Sequence, residues 1–67
     1  MFLRKSALAK ALNISRQTLW KKTLPYFSEF EKDFKIKKVI SRLEAKKLLA
    51  LWGFEQDEIE KVLEKID

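Results

Sequence analysis

Apolar side chains recur along this chain at spacings of three and four, which is the period of an amphipathic helix. Leu8, Ala9 and Leu12 share one face and predict a helix over Ser6–Leu12. Ser6 is placed as its N-cap, since a serine hydroxyl accepts from the free amides of a first turn. Asn13 follows, a residue that tolerates the left-handed conformation in which helices end. Ser15 then gives a second N-cap signal, and a second helix runs from it through Leu19 and Trp20 to Lys22. Pro25 biases Leu24 away from helical geometry, so this helix ends near Thr23.

Pro25 suits the first turn of a helix, where a missing amide costs nothing. Phe27, Phe30 and Phe34 fall three and four apart, with Tyr26 four before Phe30. The spacing predicts a third helix over 25–34, with Glu29, Glu31 and Asp33 toward water. Its aromatic stripe reads as core rather than as a stacking platform for bases. Residues 35–40 are short and β-branched, which predicts a strand or an extended linker. Phe2 and Leu3 are its most plausible pairing partner, because both segments lead into a serine-started helix.

Ser41 and Glu44 form the Ser-x-x-Glu pattern of a capping box. Ala45, Leu48, Leu49 and Trp52 continue the helix, and Gly53 falls where a left-handed residue closes it. Ile59, Val62, Leu63 and Ile66 define a last amphipathic helix, 55–66. Glu55 is its expected N-cap, with Phe54 and Ile59 as a hydrophobic staple. Glu55, Asp57 and Glu58 sit at its start, and Lys61 and Lys65 toward its end, as the helix dipole favours. The sum is five short helices, all-α or α with a minimal two-stranded element, and no visible repeat.

Composition narrows the chemistry. The chain has 67 residues with no cysteine and no histidine, so disulfides, thiolate or imidazole metal sites and histidine-based triads are excluded. A chain of this size predicts a single domain, 1–67, with little apolar surface to spare for an enclosed pocket. An enzyme is therefore not expected, nor is a cofactor, a metal or a small-molecule ligand. No apolar run approaches the roughly 18 residues of a membrane span. The start, Met-Phe-Leu-Arg-Lys, lacks a signal-peptide stretch. A cytoplasmic protein is expected.

The net charge of +5 conceals segregation. Residues 1–28 carry six cations, Arg4, Lys5, Lys10, Arg16, Lys21 and Lys22, and no acid. Residues 35–47 carry a second basic block, including Lys35, Lys37 and Lys38, against Glu44 alone. Residues 48–67 are acidic. Two basic blocks and an acidic end point to two surfaces with different partners.

The segment 6–23 meets the steric demands of a helix-turn-helix. Ala9 is the small residue where two helices cross. Leu12 and Ile14 flank the turn, Ser15 starts the second helix and Leu19 anchors it. ALNISRQTLWKK, residues 11–22, resembles the helix-turn-helix of Fis-type activators, resolvases and phage excisionases. KIKKVISRLEAKKLLALWGFEQDEIEKVL, residues 35–63, is similar to the later part of the MerR and excisionase winged-helix fold. Asn13 stands where these families usually have glycine. Lys22 stands where many carry a second apolar anchor, a role left to Leu24 or Trp20. The glycine-rich wing turn and the paired tyrosines of MerR proteins are missing.

The resemblance implies a small sequence-specific double-stranded DNA-binding protein, either a transcriptional regulator or an excisionase-like factor of phage or mobile-element type, acting at the nucleoid. It places the helix 15–23 in the major groove. Arg16, Gln17, Trp20 and Lys21 are then the candidates for base contacts, Arg16 toward guanine and Gln17 toward adenine. Lys10, Ser15, Thr18, Lys22, Lys35, Lys37 and Lys38 are the candidates for phosphate contacts. Trp20 also falls where a half-buried core residue is expected. The helix 55–66 is the candidate surface for a homodimer or a protein partner. The competing reading is a protein-interaction module, of antitoxin or inhibitor type, that keeps the helix-turn-helix shape.

Overall fold

Leu3 and Ile40 face each other at the centre of a two-stranded antiparallel ribbon, and the rest of the chain is arranged around that pair. The computed structural model describes residues 2–66. Strand β1 (Phe2–Arg4) leads into helix α1 (Lys5–Ala11) and helix α2 (Arg16–Thr23). A 3-10 segment (Leu24–Glu29) and a run of turns follow. Strand β2 (Val39–Ser41) then leads into helix α3 (Arg42–Leu51) and helix α4 (Gln56–Ile66). The chain is mostly helical, with one small sheet among the described residues.

The ribbon follows from period-two alternation. Leu3 and Ile40 point inward and are buried, while Phe2, Arg4 and Val39 point outward. Phe2 and Leu3 do pair with this part of the chain, but the strand is shorter and later than the segment 35–40: Phe2 faces Ser41 and Leu3 faces Ile40, while residues 35 and 36 belong to a turn. The pairing extends one bond beyond the ribbon, where the Lys5 amide donates to the Lys38 carbonyl at 2.9 Å. That bond occupies the first amide of α1. The helix consequently starts at Lys5 with Arg4 in the cap position, and Ser6 lies inside the first turn rather than capping it.

Both inter-helix turns have the same backbone device. After α1, the Asn13 amide donates to Lys10 and the Ile14 amide to Ala9, each at 3.0 Å, with Asn13 at φ 60°. After α3, the Gly53 amide donates to Ala50 and the Phe54 amide to Leu49, again at 3.0 Å, with Gly53 at φ 95°. These paired bonds are the Schellman arrangement. Two residues later each unit caps its next helix. The Ser15 hydroxyl accepts the Thr18 amide at 3.1 Å, and the Glu58 carboxylate accepts the Glu55 amide at 3.1 Å. The chain is therefore a strand–helix–helix unit made twice, a repeat that the sequence does not display. Leu8 and Leu48, Leu19 and Ile59, and Thr23 and Leu63 are buried at equivalent places in the two units.

Among the described residues four α-helices replace the expected five. The segment 25–34 is not an α-helix: the 3-10 segment ends at Phe30, which is extended at φ −122° and ψ 172°. The physical reason lies in the aromatic stripe. Breaking the chain at Phe30 lets the Phe30 and Phe34 rings stack face to face at 4.0 Å. Phe34 is thereby fully buried, with the Phe27 ring edge-on to it at 6.4 Å. Glu29, Glu31 and Asp33 do face water.

The core joins both units: Leu3, Leu8, Ala9 and Leu19 from the first, Ile40, Ala45, Leu48 and Leu49 from the second, and Phe34 between them. α4 packs across α1 and closes the core with Ile59, Val62 and Leu63. Its apolar stripe is spent inside the chain, which leaves its acidic side outermost. The second anchor of α2 is neither Leu24 nor Trp20, which are 47% and 43% exposed. Thr23 is buried instead, and its hydroxyl donates to the Leu19 carbonyl at 2.6 Å.

Candidate nucleic-acid interface

α2 is held at both ends. Ser15 caps its start, and the Ser15 hydroxyl also donates to the Thr18 hydroxyl at 2.9 Å. At the other end the Trp52 indole N–H donates to the Lys22 carbonyl at 3.2 Å. The first bond fixes the register of Arg16 and Gln17, both exposed in the first turn. The second ties α2 to the end of α3.

A cleft of about 610 Å³ runs between α2 and the segment 34–40. Arg16, Leu19, Trp20 and Thr23 line one side of it, as helical spacing dictates. Lys35, Ile36, Lys37, Lys38 and Val39 line the other. Arg4 and Lys5 close the ribbon end. Six of its lining residues are cationic and none is a carboxylate, so its lining carries charge of one sign, with Glu44 behind it paired to Lys37. The floor is apolar, from Leu8, Phe27, Phe34 and Leu48. This cleft is larger than the composition led us to expect.

The structure thus brings Arg16 and Trp20 together with Lys35, Lys37 and Lys38 from a distant part of the sequence. Trp20 leans on Phe27 with ring centroids 5.1 Å apart, and its remaining surface is open to the cleft. Gln17 and Lys21 are exposed on the adjoining, outward side of α2. Lys10, Ser15 and Arg16 border a shallow depression over the helix turn. Lys22 is drawn elsewhere, its ammonium 5.3 Å from the centre of the Trp52 ring. Lys37 is only half-exposed, and its ammonium pairs with Glu44 at 3.3 Å.

Arg4 and Lys5 were not among the expected contacts. The alternation of Phe2, Leu3 and Arg4 carries the missing signal: with Leu3 inward, Arg4 must stand outward beside Val39. Lys5 is half-buried, donates to the Phe34 carbonyl and lies 4.5 Å from the centre of the Phe34 ring. Burial lowers the pKa of its ammonium; the Glu44 charge opposes that and the Lys37 charge adds to it.

Among the described residues no group of three acidic side chains is placed to hold a metal ion. Among the same residues no helix is long and apolar enough to cross a membrane. Comparison with known protein families, with curated proteins and with solved structures finds no match to the chain.

Proposed function

We propose that this chain is a small sequence-specific double-stranded DNA-binding protein, a transcriptional regulator or excisionase-like factor working at the nucleoid in the cytoplasm. α2 enters the major groove, with Arg16, Gln17, Trp20 and Lys21 toward the bases. One phosphodiester strand runs along the mouth of the basic cleft, between α2 and Lys35 and Lys38. Lys10, Ser15 and Thr18 take phosphates beside the helix turn, where the exposed amides of the α2 start also favour an anion.

The observation that carries this reading is the cleft. Two basic blocks far apart in the sequence meet across a groove that contains six cations and no carboxylate. Phosphate neutralisation supplies most of the affinity in protein–DNA complexes. The capped, exposed first turn of α2 adds a rigid place for base readout. The acidic side of α4 faces away into solvent, where it suits a protein partner or a second copy.

Electrophoretic mobility shift on duplex DNA tests the proposal. Binding at low salt is expected to weaken with a log–log salt slope of roughly −5, as about six phosphate contacts dictate. Micromolar protein that leaves duplex DNA unshifted at low salt overturns it in favour of a protein-interaction module.

A further inference from the structure

Among the described residues Ile36 is the most exposed of the large apolar side chains, at 78%. It has no part in the core. It stands at the mouth of the basic cleft, between Lys35 on one side and Lys37 and Lys38 on the other. Leu43 and Phe2 are nearly as exposed, at 76% and 69%, but neither lines the basic cleft.

Its mounting is rigid. The Ile36 amide donates to the Asp33 carbonyl at 3.1 Å, and the Lys37 amide donates to the same oxygen at 3.0 Å. Two residues earlier, Phe34 is fully buried and stacked on Phe30. Lys5 holds the Phe34 carbonyl from the other side. The side chain itself is β-branched and stiff, so little rotamer freedom is lost when it is fixed. A stiff apolar residue on a braced turn, ringed by cations, has the form of a wedge between stacked bases.

We infer that Ile36 inserts between two base pairs in the minor groove beside the site read by α2, and bends the duplex. The inference rests on the DNA-binding reading above. Lys35 and Lys38 hold the phosphodiester strand at the mouth of the cleft while the isoleucine partly unstacks one step. The protein therefore acts as an architectural factor, changing the path of DNA as well as marking a sequence.

Energy transfer between the labelled ends of a duplex of about 30 base pairs with a central TA step measures the bend. The wild-type protein is expected to bend it by roughly 20–90°. Ile36→Ser is a surface change; it is expected to bind within about fivefold of wild type and leave the duplex straight, because phosphate contacts carry the affinity. Ile36→Phe keeps an apolar wedge and is expected to restore the bend. A 2-aminopurine at the TA step is expected to brighten with wild type and stay dim with Ile36→Ser. Equal bending by Ile36→Ser and wild type overturns the inference, as does wild-type binding to an unbent duplex. Absence of any wild-type binding overturns the DNA reading, and the wedge with it.

Discussion

Lys37 and Glu44 are joined by an ion pair of 3.3 Å that links the basic segment to the start of α3. The same carboxylate accepts the Ser41 amide at 2.9 Å, while the Ser41 hydroxyl accepts the Glu44 amide at 3.1 Å. One side chain thus caps a helix and fixes the edge of the proposed binding surface. Lys37 is consequently a structural cation more than a free one, and it separates in kind from Lys35 and Lys38.

The salt dependence of DNA binding is expected to register that difference. Lys35→Ala and Lys38→Ala each reduce the slope by about 0.9, the value for one lost phosphate contact. Lys37→Ala leaves the slope near wild type and lowers thermal stability instead. Titration of duplex binding between low and moderate salt, with a melting curve for each variant, checks both halves.

Glu44 also sets a pH dependence. Burial pushes its carboxyl up, but the Ser41 amide and the Lys37 ammonium outweigh burial and hold it below the ordinary carboxylate value. Its stabilising contribution is therefore complete above the unfolded-state pKa near 4.3 and fades as pH falls through the lower folded-state value. Glu44→Gln is expected to cost roughly 0.3–1.5 kcal/mol at neutral pH, the range for a capping interaction. The gap in Tm between wild type and this variant is expected to close in acid. A gap that persists unchanged at pH 3 contradicts the assignment.

The proposed base readers have their own expected signature. Arg16→Ala and Gln17→Ala are each expected to weaken binding to a selected site by about 1–3 kcal/mol and to relax preference at one position. Selection from a random duplex pool, repeated with each variant, identifies that position. An unchanged preference removes the residue from the readout.

Trp20 offers a direct optical probe. In Trp52→Phe, the remaining indole fluorescence comes from Trp20, which is 43% exposed in the cleft. Duplex binding is expected to quench and shift that emission. Emission that ignores saturating duplex at low salt moves the DNA away from the cleft.

Gly53 separates backbone strain from packing. A Cβ there meets nothing within 4 Å, yet the residue sits at φ 95°. Gly53→Ala is expected to cost about 1–2 kcal/mol through the left-handed backbone alone. Gly53→Asn, which copies the residue at the first turn, is expected to recover part of it. Urea denaturation measures both.

Much of this fold is legible in local chemistry. The left-handed Asn13 and Gly53, the Ser15 cap, the Ser41–Glu44 box and the buried Leu8, Leu19, Leu48 and Leu63 all follow from spacing and residue type. Those signals act within one turn of chain. The segment 25–34 was not legible, because a three-and-four aromatic pattern fits an α-helix and a broken pair of turns equally well. Ring stacking between Phe30 and Phe34 decided it, and stacking is a tertiary event. Ser6 failed as a cap for a similar reason: a backbone bond from Lys38 reached the helix start first. The cleft depends on bringing residues 4–5, 16–23 and 34–40 together, so its members were visible as charges but not as one surface.

The pairing of Leu3 with Ile40 has a consequence for how the protein is made. On a ribosome α2 emerges before β2, and β1 has no partner until β2 follows. Phe34 and Ile40, which line the cleft beneath α2, follow only after it, and α4 later still. The helix expected to read DNA is therefore made before the elements that stabilise it. A nascent chain cut off before Val39 holds the proposed recognition residues without the scaffold that orients them, so partial translation products are expected to leave the proposed DNA sites untouched.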